Sequence, residues 1–149
     1  MVNTRIGIVA ACAAVLVLAG CSFPKSSRDK AEWFFEKGSD KIVDSLEDQG
    51  VEGKDLTRVR NVLADHRSAV VKDLATAFAE QRSSFRTLYA GQDTDALLAS
   101  EDASHEARRR ALRSIGAMHA DIEQTVGADT WAAANEQRRK RFEDRYEDE

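Results

Sequence analysis

Between Leu56 and Leu88 the apolar residues Leu56, Val59, Leu63, Val70, Leu74, Phe78, Phe85 and Leu88 recur at steps of three, four or seven. That spacing lines one stripe of a helix and is incompatible with the two-residue alternation of a half-buried strand. The run holds neither proline nor glycine, so nothing in it breaks a helix. It predicts a single helix out to about Ala90, with Asp55 as N-cap. Some 35 residues at 1.5 Å each make a rod of ~50 Å. A chain of 149 residues built round such a rod is elongated.

The rest of the sequence agrees with helix. Beyond Lys30 β-branched residues are sparse, Ala, Arg, Glu and Asp dominate, and the only proline, Pro24, is already past. A first helix is expected from Ala31 to Glu47, with Trp33, Phe34, Phe35, Ile42, Val43 and Leu46 on its apolar face and Gly50 and Gly53 ending it. A turn at Gly91–Asp95 leads into a third helix from Thr94. The polar stretch Ser100–Asp102 is expected to interrupt it before it continues through Ala107, Ala111, Leu112, Ile115, Met118, Ile122 and Val126 to Gly127, a C-cap residue. Asp129 or Thr130 should cap a fourth helix carrying Trp131, Phe142 and Tyr146. The expected fold is all-α and thin, with narrow stripes that invite dimerisation along the long helices.

The N-terminus reads differently. Residues 1–20 contain one charge, Arg5, and an apolar run from Ile6 to Ala19 broken only by Gly7. That length suits a secretory leader better than a membrane span, which needs about 20 apolar residues. Leu18-Ala19-Gly20-Cys21 resembles the lipobox of bacterial lipoproteins. The resemblance implies cleavage before Cys21, a diacylglyceryl group on its sulfur and acylation of the new amine. Cys12 leaves with the leader, so no intramolecular disulfide is expected. Ser22 stands where inner-membrane retention shows Asp, which by the same resemblance places the chain at the outer membrane, facing the periplasm. Residues 21–30, with Pro24 and three serines, read as a tether of at most ~30 Å, and residues 31–149 as one domain. The chain has 26 acidic against 22 basic residues and a net charge of −4, which argues against nucleic acid as a partner.

Within the helical part, Leu56-Thr57-Arg58-Val59-Arg60 resembles the LTxxQ pentapeptide of the Spy and CpxP family, with Arg60 in the place of glutamine. A second copy is expected before the last helix, where Gly127-Ala128-Asp129-Thr130-Trp131 keeps only the threonine. The run Glu136–Phe142 is similar to the polar, basic run ending in phenylalanine of that family. The resemblance implies a bent helical hairpin that dimerises into a cradle and binds unfolded proteins without ATP. In some members it restrains an envelope-stress sensor kinase. A lipid anchor departs from the freely soluble members. Metal-binding relatives, ZraP and CnrX, share the architecture.

The residues suited to holding non-native chains are Arg67, Lys72, Arg82 and Arg86 on the second helix and Arg108, Arg109, Arg110 and Arg113 on the third. Phe78, Phe85 and Met118, with Leu88, Leu112 and Ile115, supply apolar contact between them. Cations attract a client over a Debye length of ~8–10 Å and apolar contact holds it loosely. The plainer reading is that the arginines are solvated and the apolar residues are core. His66 and His119 lie on or beside the apolar stripes and His105 lies in a polar stretch. Zinc wants three or four convergent ligands, and no His-x₃-His pair or second mature cysteine supplies them. No metal or other cofactor is expected, and a metal sensor would have to use His66 and His119. No nucleophile elbow, phosphate-cradling glycine loop or His-Glu-x-x-His motif occurs, so an enzyme is not expected. Three readings follow: an anchored holdase or stress modulator, a metal sensor, and a structural lipoprotein docking one partner.

Overall fold

The computed structural model describes residues 26–91 and 93–147, and within them the chain is all-α. Cys21, the leader and the first part of the tether lie outside the described residues. Four helices follow one another: α1 (Ser27–Glu47), α2 (Gly53–Tyr89), α3 (Thr94–Val126) and α4 (Ala128–Glu147).

The first helix starts a full turn before its expected beginning at Ala31. Ser26 and Asp29 form a capping box: the Asp29 N–H donates to Ser26 Oγ at 3.1 Å and the Ser26 N–H to Asp29 Oδ2 at 3.2 Å. This satisfies two of the orphan donors of the first turn, so the C-terminal part of the expected tether is helix. At the other end the Val51 N–H donates to Leu46 O and the Gly50 N–H to Glu47 O, with Gly50 at φ 80°. That is the Schellman pattern, in which a left-handed residue lets the chain turn back. Val51 and Leu46 are both buried beside it.

The long helix is observed as 37 residues, about 55 Å at 1.5 Å per residue. It begins at Gly53, with Glu52 in the cap position and no side-chain cap. Asp55 therefore lies inside the first turn, where it accepts from Arg58 at 3.2 Å. A carboxylate still suits the positive end of the helix dipole there.

Helix α3 is capped by Asp93, whose Oδ1 accepts from the Ala96 N–H at 2.9 Å. It runs without the expected break at Ser100–Asp102. The polar side chains in that stretch find partners instead: Ser100 Oγ donates to Leu97 O at 2.9 Å, and Glu101 accepts from Ser84 of α2. The two long helices are antiparallel. Three polar contacts set their register: Ser84 with Glu101, Ser114 with Asp73, and His66 Nε2 with Asp121 Oδ2 at 2.7 Å. The buried face of α3 is mostly small, Ser104, Ala107 and Ala111, with Met118 and Ile122 lower down.

Helix α1 packs antiparallel on α2. Glu47 accepts from Arg60, Glu36 from Arg67, and the ring of Phe34 lies 5.5 Å from that of Phe78. Helix α4 turns back at Gly127 and lies across the end of α1, where Arg138 donates to Ser45 Oγ at 3.0 Å and Arg141 to Asp48 at 2.7 Å. It starts at Ala128, so neither Asp129 nor Thr130 is its cap. One end of the molecule thus has four helices round Leu46, Val59, Ile122 and Trp131. The other is a bare two-helix tip.

Gly127 alone separates α3 from α4, at φ 88° and ψ 150°. That backbone conformation is essentially confined to glycine. Gly127→Ala is expected to destabilise the fold by about 1–3 kcal/mol through backbone strain, although a Cβ there meets open space. Urea unfolding followed by circular dichroism measures it, and an unchanged midpoint would show that this joint relaxes freely.

Candidate functional site

The residues singled out for client contact fall into four separate groups. Phe78 and Met118 are core: both are buried, Phe78 against the Phe34 ring. Their expected role as surface contacts is corrected, because each sits on the buried stripe of its own helix. Leu112 and Ile115 are partly buried, the latter packed against the core.

The arginine row on α3 is not an open basic face. Arg110 and Arg113 both reach Glu106, at 3.8 and 3.0 Å, and Arg108 folds back onto Ser104 Oγ at 3.1 Å. Arg109 forms no ion pair among the described residues. Helical spacing explains the arrangement, since residues three, four or seven apart lie on one face. The net positive charge of the triplet is therefore partly cancelled where it stands.

Arg67 and Lys72 border a groove of about 800 Å³ beside the N-terminal half of α1. Its floor on α2 is Ala64, Ser68, Val71, Ala75 and Ala79, and its α1 wall carries Ser27, Arg28 and Glu32. These α2 positions step by three and four, a second stripe of small residues beside the large apolar one. That step is legible in the sequence itself. Arg28 pairs with Glu32 at 3.1 Å, and Arg67 pairs with Glu36 at 2.9 Å while lying 5.8 Å over the Phe35 ring. Lys72 is exposed and forms no ion pair among the described residues. A shallow trough with an apolar floor and a predominantly cationic rim can hold an extended segment with small or apolar side chains and acidic neighbours.

Arg82, Phe85 and Arg86 lie a further two turns along α2, beyond the first turn of α1, on the bare tip. Leu88, Tyr89 and Leu98 are exposed beside them. Tyr89 and Leu98 were not anticipated, because Tyr89 follows the stripe rather than continuing it and Leu98 opens α3 before its periodic part.

The two histidines do not converge. His66 meets Asp121, whereas His119 lies edge-on to Trp131 at 5.2 Å between ring centroids. The Arg138 guanidinium lies over that indole at 4.8 Å. Burial, and then the charge of Arg138, lower the His119 pKa from 6.5 to about 4. No group of three or more His, Cys, Asp or Glu side chains able to hold a metal occurs among the described residues. His66 and His119 are thus in separate surroundings and belong to the packing of α2 on α3 and of α4 on α3.

At the pentapeptide, Leu56 is buried and Thr57 Oγ1 donates to Gly53 O at 2.9 Å. Arg60, in the glutamine position, donates to Glu47 at 3.3 Å and so ties the start of α2 to the end of α1. Thr130 is partly buried in the first turn of α4. No helix among the described residues is long and apolar enough to cross a membrane. Comparison with known proteins finds no family model, no curated protein and no solved structure that matches the chain.

Proposed function

We propose that this chain is a lipid-anchored, ATP-independent holdase of the bacterial envelope that captures partly unfolded proteins and thereby moderates envelope stress. The observation that carries the reading is the groove between α1 and α2, where a floor of small residues meets Arg28, Arg67 and Lys72. Binding there is weak by construction. Two of the three rim cations are already paired, and exposed ion pairs contribute only about 0–1 kcal/mol, so a client exchanges contacts instead of gaining many new ones. A holdase without an energy source needs that balance, because tight capture could not be reversed. Anchoring at Cys21 would keep the groove within a short tether of the membrane. The clients are partly folded envelope proteins, and the resemblance to the Spy and CpxP pattern at Leu56, Thr57 and Arg60 points the same way.

The test follows light scattering from a reduced, unfolding client protein with and without the chain from Ser22 onward. Aggregation should be suppressed at about stoichiometric ratios, and added salt should weaken the effect because cations contribute to capture. Unchanged aggregation at excess chain would remove the holdase reading.

A further inference from the structure

We infer that the tip of the α2–α3 hairpin is a second membrane contact, which inserts Phe85, Leu88, Tyr89 and Leu98 into the interfacial zone of the bilayer. The inference rests on the lipid anchor at Cys21.

Helix α1 runs antiparallel to α2, and its first residues, Ser27 and Arg28, lie beside Thr76 and Ala79. The α2 helix continues past that level to Tyr89, about ten residues or ~15 Å. The N-terminus of the domain therefore leaves toward the tip and away from the four-helix end. Cys21 precedes Ser26 by five positions, which at ~3.3–3.6 Å per residue allows at most ~18 Å. That reach covers the projection of the tip, so an acylated Cys21 allows the bilayer surface to lie at about the level of Tyr89.

The surface chemistry of the tip agrees. Phe85, Leu88, Tyr89 and Leu98 are 51, 53, 85 and 58% exposed, and they are four of the six exposed large hydrophobic residues in the described chain. At the opposite end, residues of the same kind, Leu46, Ile122 and Trp131, are buried. Phe85 and Leu88 continue the stripe that α1 covers lower down, at the place where α1 has ended. A tyrosine beside phenylalanine and leucine suits the headgroup boundary, where an aromatic ring has an apolar body and a wet edge.

Charge then decides the kind of bilayer. Arg82 and Arg86 form no ion pair among the described residues, but Glu80, Asp95 and Asp102 stand on the same tip. Asp93 is occupied as the α3 cap and Glu101 by Ser84. With both signs present, attraction to anionic lipid is not the driving term. Apolar insertion is, so a zwitterionic bilayer suffices and the contact is insensitive to salt.

The experiment uses the full chain, made in a lipoprotein-processing bacterium and placed in phosphatidylcholine vesicles. Mass spectrometry of the Cys21 peptide reads the anchor by itself. An environment-sensitive dye on Ala90→Cys then reports the tip, and the same dye on Lys140→Cys reports α4. The tip dye should be quenched about threefold or more over the α4 dye by nitroxide-bearing lipids, as interfacial insertion requires, equally at low and high salt. Phe85→Ser with Leu88→Ser should reduce that quenching to the α4 level while the chain still floats with the vesicles. An acylated chain whose two dyes behave alike overturns the tip contact and leaves the anchor standing. A tip dye shielded from aqueous iodide but untouched by the lipid nitroxides would put a protein or a second copy there, and also overturns it. A Cys21 without acyl chains removes the anchor, and the tip contact with it.

Discussion

Trp131→Ala is expected to destabilise the chain by about 3–5 kcal/mol, the range for deleting a buried large side chain. Only 6% of Trp131 is exposed, and it is the main large apolar residue by which α4 holds to the bundle. Its ring also meets both His119 and Arg138, at 5.2 and 4.8 Å. Removing it leaves a cavity and deprives the guanidinium of the face it lies on, which is worth about 0.5–2 kcal/mol more. The effect should be read as a lower urea midpoint together with faster amide exchange along α4. Tyr89→Ala, at the exposed tip, should move the midpoint by no more than about 0.5 kcal/mol. Equal midpoints for the two variants would show that α4 contributes nothing to the fold.

Acid should loosen the same junction. His119 is held neutral in the folded chain, with a pKa of about 4 against 6.5 for the free side chain, first because it is covered and second because Arg138 stands near. The unfolded chain binds the proton more readily, so this contribution to stability is fully present above pH 6.5 and is lost as pH falls from 6.5 to about 4. The loss is roughly 2 kcal/mol at pH 5 and roughly 3 kcal/mol below pH 4. Urea midpoints measured at pH 7.5 and pH 5 should therefore separate. In His119→Gln, which has no proton to take up, they should approach each other. An equal separation in the variant would assign the acid sensitivity to other groups, such as the carboxylates of the exposed ion pairs.

The periodicity of the large residues carried most of the fold. Steps of three, four and seven from Leu56 to Leu88 define α2 because a helix that long has to bury one stripe. The same pattern placed α3 and its end at Gly127. The starts of helices were less legible. Asp55 looked like a cap, yet the turn after Gly50 delivers the chain to Gly53 first, so Asp55 falls in the helix. Ser26 and Asp29 cap α1 from within a stretch that composition alone makes a linker. The break anticipated at Ser100–Asp102 does not occur, because Ser84, on the other long helix, supplies a partner for Glu101 that one-dimensional spacing does not reveal. The candidate surface was legible in part. Arg67 and Lys72 do border one groove, but three of the α3 arginines, Arg108, Arg110 and Arg113, are taken up by Ser104 and Glu106, neighbours by helical spacing. Phe78 and Met118 could not be told from surface residues, since core and contact stripes share one period. The tip was hidden for a different reason: where α1 stops covering α2 depends on how the two helices pack.

Holdase activity through the groove is most directly tested by filling the groove. Ser68 lies on its floor and Lys72 on its rim, both on the exposed surface of α2, so Ser68→Trp with Lys72→Glu blocks the trough and reverses its free charge with little effect on the core. In the client-aggregation measurement, the double variant should suppress scattering about tenfold less effectively than the parent chain, the loss of ~1.4 kcal/mol of capture. Phe85→Ser with Leu88→Ser should leave suppression in solution unchanged. Full suppression by the groove-filled chain would contradict the account, because clients would then be held somewhere other than between α1 and α2.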